Sequence, residues 1–439
     1  MIIRRLHSAA PEFARELDAL TGVDAHRDNV DAAVAEIIAK VKARGDAALV
    51  ELTNRFDGAD CADFGELVLD AGEFRHAFDA LPAGQRSALE TAAERIERYH
   101  RRQIRDSWSY EDELGNRLGQ RVTPLDRVGV YVPGGQAAYP STVLMTIVPA
   151  RVAGVREIAV TMPTPGGARN RMVLAALHLA GVEEAYAIGG AQAVAALAWG
   201  TETISPVVKI AGPGNAFVAA AKRQVYGRVG IDSIAGPSEI LIVTDGATPL
   251  DWLAYDLFSQ AEHDALAQSL LLCPDGNYLD ALALRMEALL GGLERRDIIA
   301  RSLKDRGALI ETASLAEAVE IANRIAPEHL MLAVEDPQAL LERVRNAGAI
   351  FLGAHSPEVM GDYVAGPSHV LPTYGTARFS SALGVEDFQK RSSVIALTPR
   401  GSRALMEPAS VLARSEGLEA HALAAEIRGE RAGTRSRNR

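Results

Sequence analysis

Residues 128–135 read Val128-Gly129-Val130-Tyr131-Val132-Pro133-Gly134-Gly135, a short β-branched apolar run that ends in a Pro-Gly-Gly turn. Three further runs of the same form follow, at residues 158–162, 185–188 and 207–210. Each ends in a glycine or proline turn, and helical patterns separate them. This alternation is typical of βα units and predicts a parallel sheet.

A second series of strands follows the first. Its strand candidates lie at residues 240–243, 269–273, 308–310 and 349–352. Because helical patterns again separate them, we expect two α/β layers of similar build.

Helical patterns dominate the region before these strands. Apolar residues recur at helical spacing in 31–56, with Gly45 interrupting, and residues 72–108 also have a helical pattern. We expect the charged stretch 94–105 to be a solvated helix face. The segment after about residue 380 is too small for a core of its own, so we expect it to pack on another part or another subunit.

The composition limits the class of protein. The 439 residues exceed one ordinary domain, and 48% hydrophobic with 23% charged residues is typical of a soluble globular protein. A net charge of −11 argues against a broad nucleic-acid-binding surface. Two cysteines, Cys61 and Cys273, cannot form a thiolate zinc cluster, and their scarcity favours the cytoplasm. We find no signal-peptide pattern and no apolar run long enough to span a membrane.

Glycine turns after strands present free N–H groups at helix N-termini, where phosphates bind. The turn Gly212-Pro213-Gly214-Asn215-Ala216-Phe217 comes nearest to a dinucleotide fingerprint, but Phe217 stands where the third glycine would be. An ordinary tight turn is at least as good an interpretation of this turn alone.

Three motifs carry titratable or metal-binding groups. In Ser259-Gln260-Ala261-Glu262-His263-Asp264, a helix would place Gln260 and His263 on one face, either as metal ligands or as a simple polar pair. In Ala326-Pro327-Glu328-His329-Leu330, the adjacent Glu and His would serve either as two bases or as a helix start. In Gly361-Asp362-Tyr363, the Asp is either a turn residue or a hard oxygen ligand.

A histidine near the C-terminus, in Glu416-Gly417-Leu418-Glu419-Ala420-His421, is a further candidate ligand. A solvent-facing helix position is the better interpretation of His421 when it is taken alone.

These motifs in this order, together with Ala235-Gly236-Pro237-Ser238-Glu239 and His369-Val370-Leu371-Pro372-Thr373, resemble the histidinol dehydrogenase family over residues 20–428. The resemblance implies two similar three-layer α/β/α domains with parallel sheets, incomplete Rossmann-like and aldehyde-dehydrogenase-like, plus small helical terminal segments. It divides the chain into an N-terminal segment 1–22, a first domain of 23–125 with 238–380, an NAD-binding domain 126–237, and a C-terminal segment 381–439 with a basic disordered tail from about 429.

The resemblance also implies site residues. The zinc ligands fall on Gln260, His263, Asp362 and His421. The catalytic pair falls on Glu328 and His329. Substrate contacts fall on Ser238, Gln260, His263, His329, Asp362, Glu416 and His421. NAD contacts fall on Tyr131, Gln192 and Asn215.

The implied reaction oxidises L-histidinol through the aldehyde to L-histidine and reduces two NAD⁺. His329 would accept protons in both oxidations, and Glu328 would activate the water that hydrates the aldehyde. Glu416 and His421 are implied to reach the partner site of a homodimer. Three other functions stay open at this point: a related dehydrogenase of another alcohol such as a sulfonated diol, a zinc hydrolase using Glu328, and a non-catalytic binding module.

Overall fold

The computed structural model describes residues 2–22, 27–134 and 139–429. Two predicted features lie outside these ranges: the basic tail, from residue 430 on, and Gly135 at the end of the first glycine turn. The strands, in chain order, are β1 Arg4–His7, β2 Val68–Leu69, β3 Trp108–Glu111, β4 Arg117–Pro124, β5 Arg127–Tyr131, β6 Glu157–Thr161, β7 Glu184–Tyr186, β8 Lys209–Ala211, β9 Gly230–Ile231, β10 Glu239–Thr244, β11 Gln268–Cys273, β12 Ala308–Glu311, β13 His329–Ala333, β14 Ala349–Leu352 and β15 Gln389–Ala396.

The helices connect these strands. In chain order they are α1 Phe13–Thr21, α2 Arg27–Asp57, α3 Ala71–Asp79, α4 Ala83–His100, α5 Pro140–Val152, α6 Arg171–Leu179, α7 Gly190–Trp199, α8 Ala216–Val225, α9 Leu250–Ala261, α10 Gly276–Leu290, α11 Arg296–Arg306, α12 Leu315–Ile325, α13 Pro337–Leu341, α14 Glu358–Met360, α15 Pro399–Ser415 and α16 Glu419–Gly429. None of the helices in the described ranges is long and apolar enough to cross a membrane.

One six-stranded sheet has the order β1-β12-β11-β10-β13-β14, with every pair parallel, and we call it the catalytic sheet because β13 contains His329 of the predicted catalytic pair. Its inner strands β10, β11 and β13 are buried along their whole length because their side chains alternate between two cores. Leu271 of β11 packs with α9, α10 and α11, whereas Leu270 and Leu272 pack with α1 and α12 on the other face. The predicted three-layer α/β/α arrangement is confirmed for this sheet.

The other six-stranded sheet has the order β2-β7-β6-β5-β8-β9, and we call it the turn sheet because glycine and proline turns follow its strands β5 to β8. Its pairs are parallel except β2 with β7, which is antiparallel. The four strands expected from their apolar runs are all present. Gly45, at φ 49° and ψ −130°, kinks α2 where the sequence pattern is interrupted.

The predicted boundaries differ from this packing in two places. Residues 23–125 were grouped with 238–380, but the buried side chains of α2, α3 and α4 pack in the core of the turn sheet. The N-terminal segment 1–22 supplies β1 and α1, which pair and pack with the catalytic sheet. An apolar helix face does not specify which of two sheets will cover it.

The chain divides into two compact units, and the first, residues 1–103 and 125–388, contains both six-stranded sheets. The second comprises residues 104–124 and 389–439, of which the described part ends at 429. It contains the antiparallel sheet β15-β4-β3, with α15 packed on α16. The helical prediction for 72–108 is therefore wrong at its end, because Trp108 begins a strand whose residues are all exposed. The C-terminal segment does not stand alone, since the hairpin of β3 and β4 pairs with it.

Candidate active site

The motif Ala326-Pro327-Glu328-His329-Leu330 joins α12 to β13. Ala326 takes a left-handed φ of 56° and ends α12, and Pro327 has no N–H with which to continue the helix. β13 begins at His329, which lies beside Ile240 of β10 in the middle of the catalytic sheet. The alternative of a helix start is therefore wrong, and the motif begins a buried strand.

Glu328 is buried, with 6% of its surface exposed. Its Oε2 accepts a hydrogen bond from the backbone N–H of Glu239 at 2.8 Å. Burial raises the pKa of Glu328 to about 8, against the opposing effect of the His329 imidazole. A carboxyl group with such a pKa is suited to accept or return a proton near neutral pH.

His329 is buried beside three carboxylates. Its Nδ1–H donates to the backbone oxygen of Glu239 at 2.9 Å and lies 3.3 Å from Glu358 Oε1. Its Nε2 lies 3.7 Å from Asp362 Oδ1. Burial lowers the pKa of His329, but Glu358, Glu328 and Asp362 outweigh it, and the net shift is well above the usual value.

Glu358 and Asp362 enter the site from one short helical stretch, α14 and the π-helical turn Gly361–Ala365. His329, Glu358 and Asp362 offer ligand atoms within 4.8 Å of one another. Burial raises the pKa of Glu358 well above its usual value, whereas contact with His329 outweighs burial and lowers the pKa of Asp362. Glu358 was missed in the sequence, although its spacing of four from Asp362 predicts a shared helical face.

Gln260 lies fully buried in the last turn of α9. His263 follows the end of that helix, in a turn where its N–H donates to the Gln260 carbonyl at 3.2 Å. The expectation of one shared helix face is therefore wrong in detail, because the helix stops at Ala261. Burial lowers the pKa of His263, and the Asp362 carboxylate opposes this shift.

Four buried polar atoms of this site are without a hydrogen-bond partner in the described part of the chain. They are the Oε1 and Nε2 of Gln260, the Nε2 of His329 and the Oε2 of Glu358. Buried polar atoms are almost always satisfied, so these atoms point to a ligand. Amide oxygen, imidazole nitrogen and carboxylate oxygen together suit a divalent cation such as zinc.

His369 supports the Asp362 segment. Its Nδ1 lies 3.0 Å from the Asp362 backbone oxygen, and its Nε2 lies 3.1 Å from Thr142 Oγ1. Ser238, an expected substrate contact, is half-buried just before β10, and its carbonyl accepts from the Gln268 N–H at 2.9 Å. The motif containing His369 thus positions the site rather than supplying it with a ligand.

The expected dinucleotide contacts lie at or beyond the carboxyl ends of the turn-sheet strands. Tyr131 ends β5, and its hydroxyl accepts from the Gly190 N–H at 3.1 Å. Gln192 is buried in the first turn of α7, after β7. Asn215 caps α8, after β8, where its side chain accepts from Phe217 N at 3.0 Å. This edge is where open α/β sheets bind ligands.

The turn at Gly212 is held on several sides. Gly212 has a φ of +114°, and a Cβ there would lie 2.0 Å from the backbone carbonyl oxygen of Tyr131. Its N–H donates to Asp232 Oδ2 at 2.7 Å, and its carbonyl accepts from Lys222 Nζ at 3.0 Å. Lys222 and Asp232 also form an ion pair, with 2% and 4% of their side chains exposed. Only glycine fits at position 212, although the third fingerprint glycine is replaced by Phe217.

Gln260, His263, Glu328, His329 and Asp362 thus lie in the same compact unit. Two further predicted residues, Glu416 and His421, belong to the other unit. Glu416 follows α15, His421 lies in α16, and both are exposed.

Comparisons with known proteins agree over most of the chain. A family model described as histidinol dehydrogenase matches residues 22–429. A histidinol dehydrogenase of Chromobacterium violaceum is 59% identical over 425 residues, which cover 97% of this chain and 98% of that protein. One of Neisseria meningitidis is 55% identical over 427 residues, covering 97% and 100% respectively. The crystal structure of histidinol dehydrogenase from Elizabethkingia anophelis has a TM-score of 0.91 at 33% identity and covers 97% of this chain and 98% of its own.

Proposed function

The chain belongs to the histidinol dehydrogenase family, and from that premise we propose that it uses zinc and two NAD⁺ to oxidise L-histidinol through L-histidinal to L-histidine. Members of this family are oxidoreductases that oxidise histidinol in histidine biosynthesis. The observation that carries the proposal is the buried pair Glu328 and His329 with Asp362 close to the His329 ring, together with a buried Gln260 side chain that has no hydrogen-bond partner in the described chain.

Gln260, His263 and Asp362 would hold the zinc, with His421 as a fourth ligand. The metal would supply a fixed positive charge that orients an amine and an imidazole nitrogen of the substrate. The buried, unpartnered Oε1 of Gln260 supports its place in this assignment. Glu358 has its own unpartnered oxygen close to His329 and is a further candidate for contact with the ion.

His329 would act as the proton acceptor for the substrate hydroxyl. Its Nδ1–H is bonded to the Glu239 carbonyl, which leaves Nε2 to face the site. The three carboxylates around it favour the imidazolium, which cannot accept a proton. A cation at Asp362 would offset their charge and lower the pKa of His329 toward the range that a base needs.

Glu328 would activate the water that adds to the aldehyde. Its carboxylate takes the water proton while the oxygen bonds to the aldehyde carbon, and His329 accepts a proton again in the second oxidation. Over the whole reaction, one water enters, two hydrides leave to two NAD⁺ and three protons are released. Burial of both groups keeps bulk water from the reactive aldehyde.

Tyr131, Gln192 and Asn215 would contact NAD, which serves as the hydride acceptor. Their position at the carboxyl edge of the turn sheet and the N–H groups of the Gly212 turn support this. We also propose a cytoplasmic homodimer in which Glu416 and His421 serve the partner subunit's site.

The test is a coupled measurement on the purified chain. With zinc, NAD⁺ and L-histidinol, we expect two NADH for each L-histidine formed, and loss of activity after chelation that zinc restores. A zinc-loaded protein that is silent on histidinol but oxidises another alcohol would overturn the substrate. A protein that shows no NAD⁺ binding in calorimetry would overturn the dehydrogenase chemistry.

A further inference from the structure

Glu239 is the first residue of β10, a strand otherwise composed of Ile, Leu, Val and Thr. It follows the loop 235–238 and stands one position before Ile240, the register partner of His329. Only 6% of its surface is exposed. A carboxylate here costs free energy of burial that an apolar residue would avoid, unless hydrogen bonds satisfy its oxygens.

Glu239 and Glu328 exchange hydrogen bonds. The Glu239 N–H donates to Glu328 Oε2 at 2.8 Å, and the Glu328 N–H donates to Glu239 Oε2 at 3.3 Å. The Glu239 carbonyl accepts from His329 Nδ1 at 2.9 Å. One residue therefore contacts the side chain and backbone of Glu328 and the ring of His329.

The second carboxylate oxygen of Glu239 holds a loop on the other side. Its Oε1 accepts from the Tyr374 N–H at 2.9 Å. Tyr374 has a left-handed φ of 54°, and its ring lies so close to Gly236 that a Cβ there would be 1.9 Å from it. The Gly236 N–H also donates to Thr373 Oγ1 at 2.6 Å. The carboxylate thus joins the loop before β10 to both β13 and the Thr373–Tyr374 turn.

We propose that Glu239 is a positioning residue of this active site, which sets the carboxylate of Glu328 and the imidazole of His329 through its carboxylate and backbone. The inference rests on the proposed roles of Glu328 and His329. In this role Glu239 acts through the residue pair that it bonds, and not by direct contact with the substrate or the cofactor. Removing one of its oxygens frees the Glu328 N–H and lets the pair turn away from the reacting atoms.

Glu239→Gln tests this with little change in size. The carboxylate accepts two backbone N–H groups, whereas an amide accepts only one and directs its NH₂ at the other. We expect kcat for histidinol oxidation to fall by about tenfold to a hundredfold, the scale of a misplacement of about 1 Å, with KM for histidinol and zinc content within about twofold of wild type. Glu239→Asp, which keeps the charge but shortens the reach, should lose kcat similarly.

Gln268→Leu is the matched control. Gln268 is buried and is the register partner of Glu239 in β11, but its amide donates to Leu20 O at 2.9 Å, away from the pair. This variant should melt at a lower temperature with unchanged kcat. Wild-type activity on histidinol is measured in the same series, so its absence would overturn the proposed function instead.

Full kcat in a folded Glu239→Gln protein would overturn the positioning role. If both Glu239 variants fail to fold, Glu239 serves stability alone and the inference is equally overturned. A parallel rise in KM with unchanged kcat would also contradict it, because that result assigns Glu239 to substrate binding.

Discussion

The two six-stranded sheets place their candidate functional residues at opposite edges. In the turn sheet, Tyr131 ends its strand and the Gly212 turn follows another, so the carboxyl edge is used. In the catalytic sheet, Glu239 and His329 begin their strands, so the amino edge is used. The carboxyl edge offers helix N-termini and backbone N–H groups, which suit a phosphate. The amino edge here offers buried side chains, which suit proton transfer and a cation.

The two edges also differ in how their polar groups are satisfied. The Gly212 turn is bonded to Asp232 and Lys222 on both its N–H and its carbonyl. At the catalytic edge, both amide atoms of Gln260 and the Nε2 of His329 are buried without partners in the described chain. We infer that the polar groups at the first edge are prepared by internal bonds, that is, by hydrogen bonds within the protein. The polar groups at the second edge are instead satisfied by a bound ligand.

Glu328→Gln is the strongest test of the catalytic edge. Loss of a general base typically costs about 10²- to 10⁴-fold in rate, and we expect that loss in histidinal oxidation, where water must be activated. Histidinol oxidation should lose less, because it needs no water. Each half-reaction is measured separately by NADH formation from histidinol or histidinal. Equal losses in both would contradict the division of roles between Glu328 and His329.

The pH profile provides the control for this variant. Burial raises the pKa of Glu328 to about 8, so the carboxylate that we propose as the water-activating base is protonated below that pH. Histidinal oxidation by the wild type should therefore rise with pH through about 8 and then level off. The Glu328→Gln protein should lack this rise, and its persistence would assign the titration to another group.

Lys222→Met tests the edge that is prepared by internal bonds. Breaking a buried ion pair from one side typically costs about 3–5 kcal/mol, because Asp232 is left buried and unpaired. The Gly212 turn also loses the bond to its carbonyl, so KM for NAD⁺ should rise while KM for histidinol stays constant. Urea denaturation and initial rates measure the two effects.

Lys209→Met is the matched variant for this ion pair. Lys209 pairs with Asp387 with more of both side chains exposed, so the loss of stability should be smaller, and KM for NAD⁺ should not change. If the two variants raise KM for NAD⁺ equally, the Lys222 pair has no special connection to the turn.

Much of the fold could be predicted because buried parallel strands are continuous apolar runs ending in glycine turns. The strand β13 escaped prediction because Pro327 and Glu328 precede it, and a Pro-Glu pair is equally typical of a helix start. β3 and β4 escaped because they lie on an exposed antiparallel sheet with no apolar face to mark them.

The candidate site divides in the same way. Local motifs drew attention to Gln260, His263 and Asp362, each within a few residues of a glycine or a helix end. Glu358 lies outside these motifs, and only its spacing of four from Asp362 indicates that the two share a helical face. Glu239 could not be assigned a role from its neighbours, because its contacts with Glu328 depend on the adjacency of β10 and β13, strands 90 residues apart.

Gln260→Leu has the smallest expected effect and bears most directly on the comparison of the two edges. An unsatisfied buried amide contributes nothing to stability in the metal-free protein, so an apolar side chain there should leave the free energy of unfolding unchanged or raise it by about 1 kcal/mol. Gln268→Leu should instead lower it by about 1–3 kcal/mol, because the Leu20 carbonyl loses its donor. The zinc content of the two variants should differ in the opposite sense. After loading with zinc and dialysis, Gln260→Leu should retain less metal than wild type, whereas Gln268→Leu should retain as much. If the metal-free Gln260→Leu protein is destabilised as much as Gln268→Leu, Gln260 is a structural side chain and the catalytic edge is no less satisfied than the other.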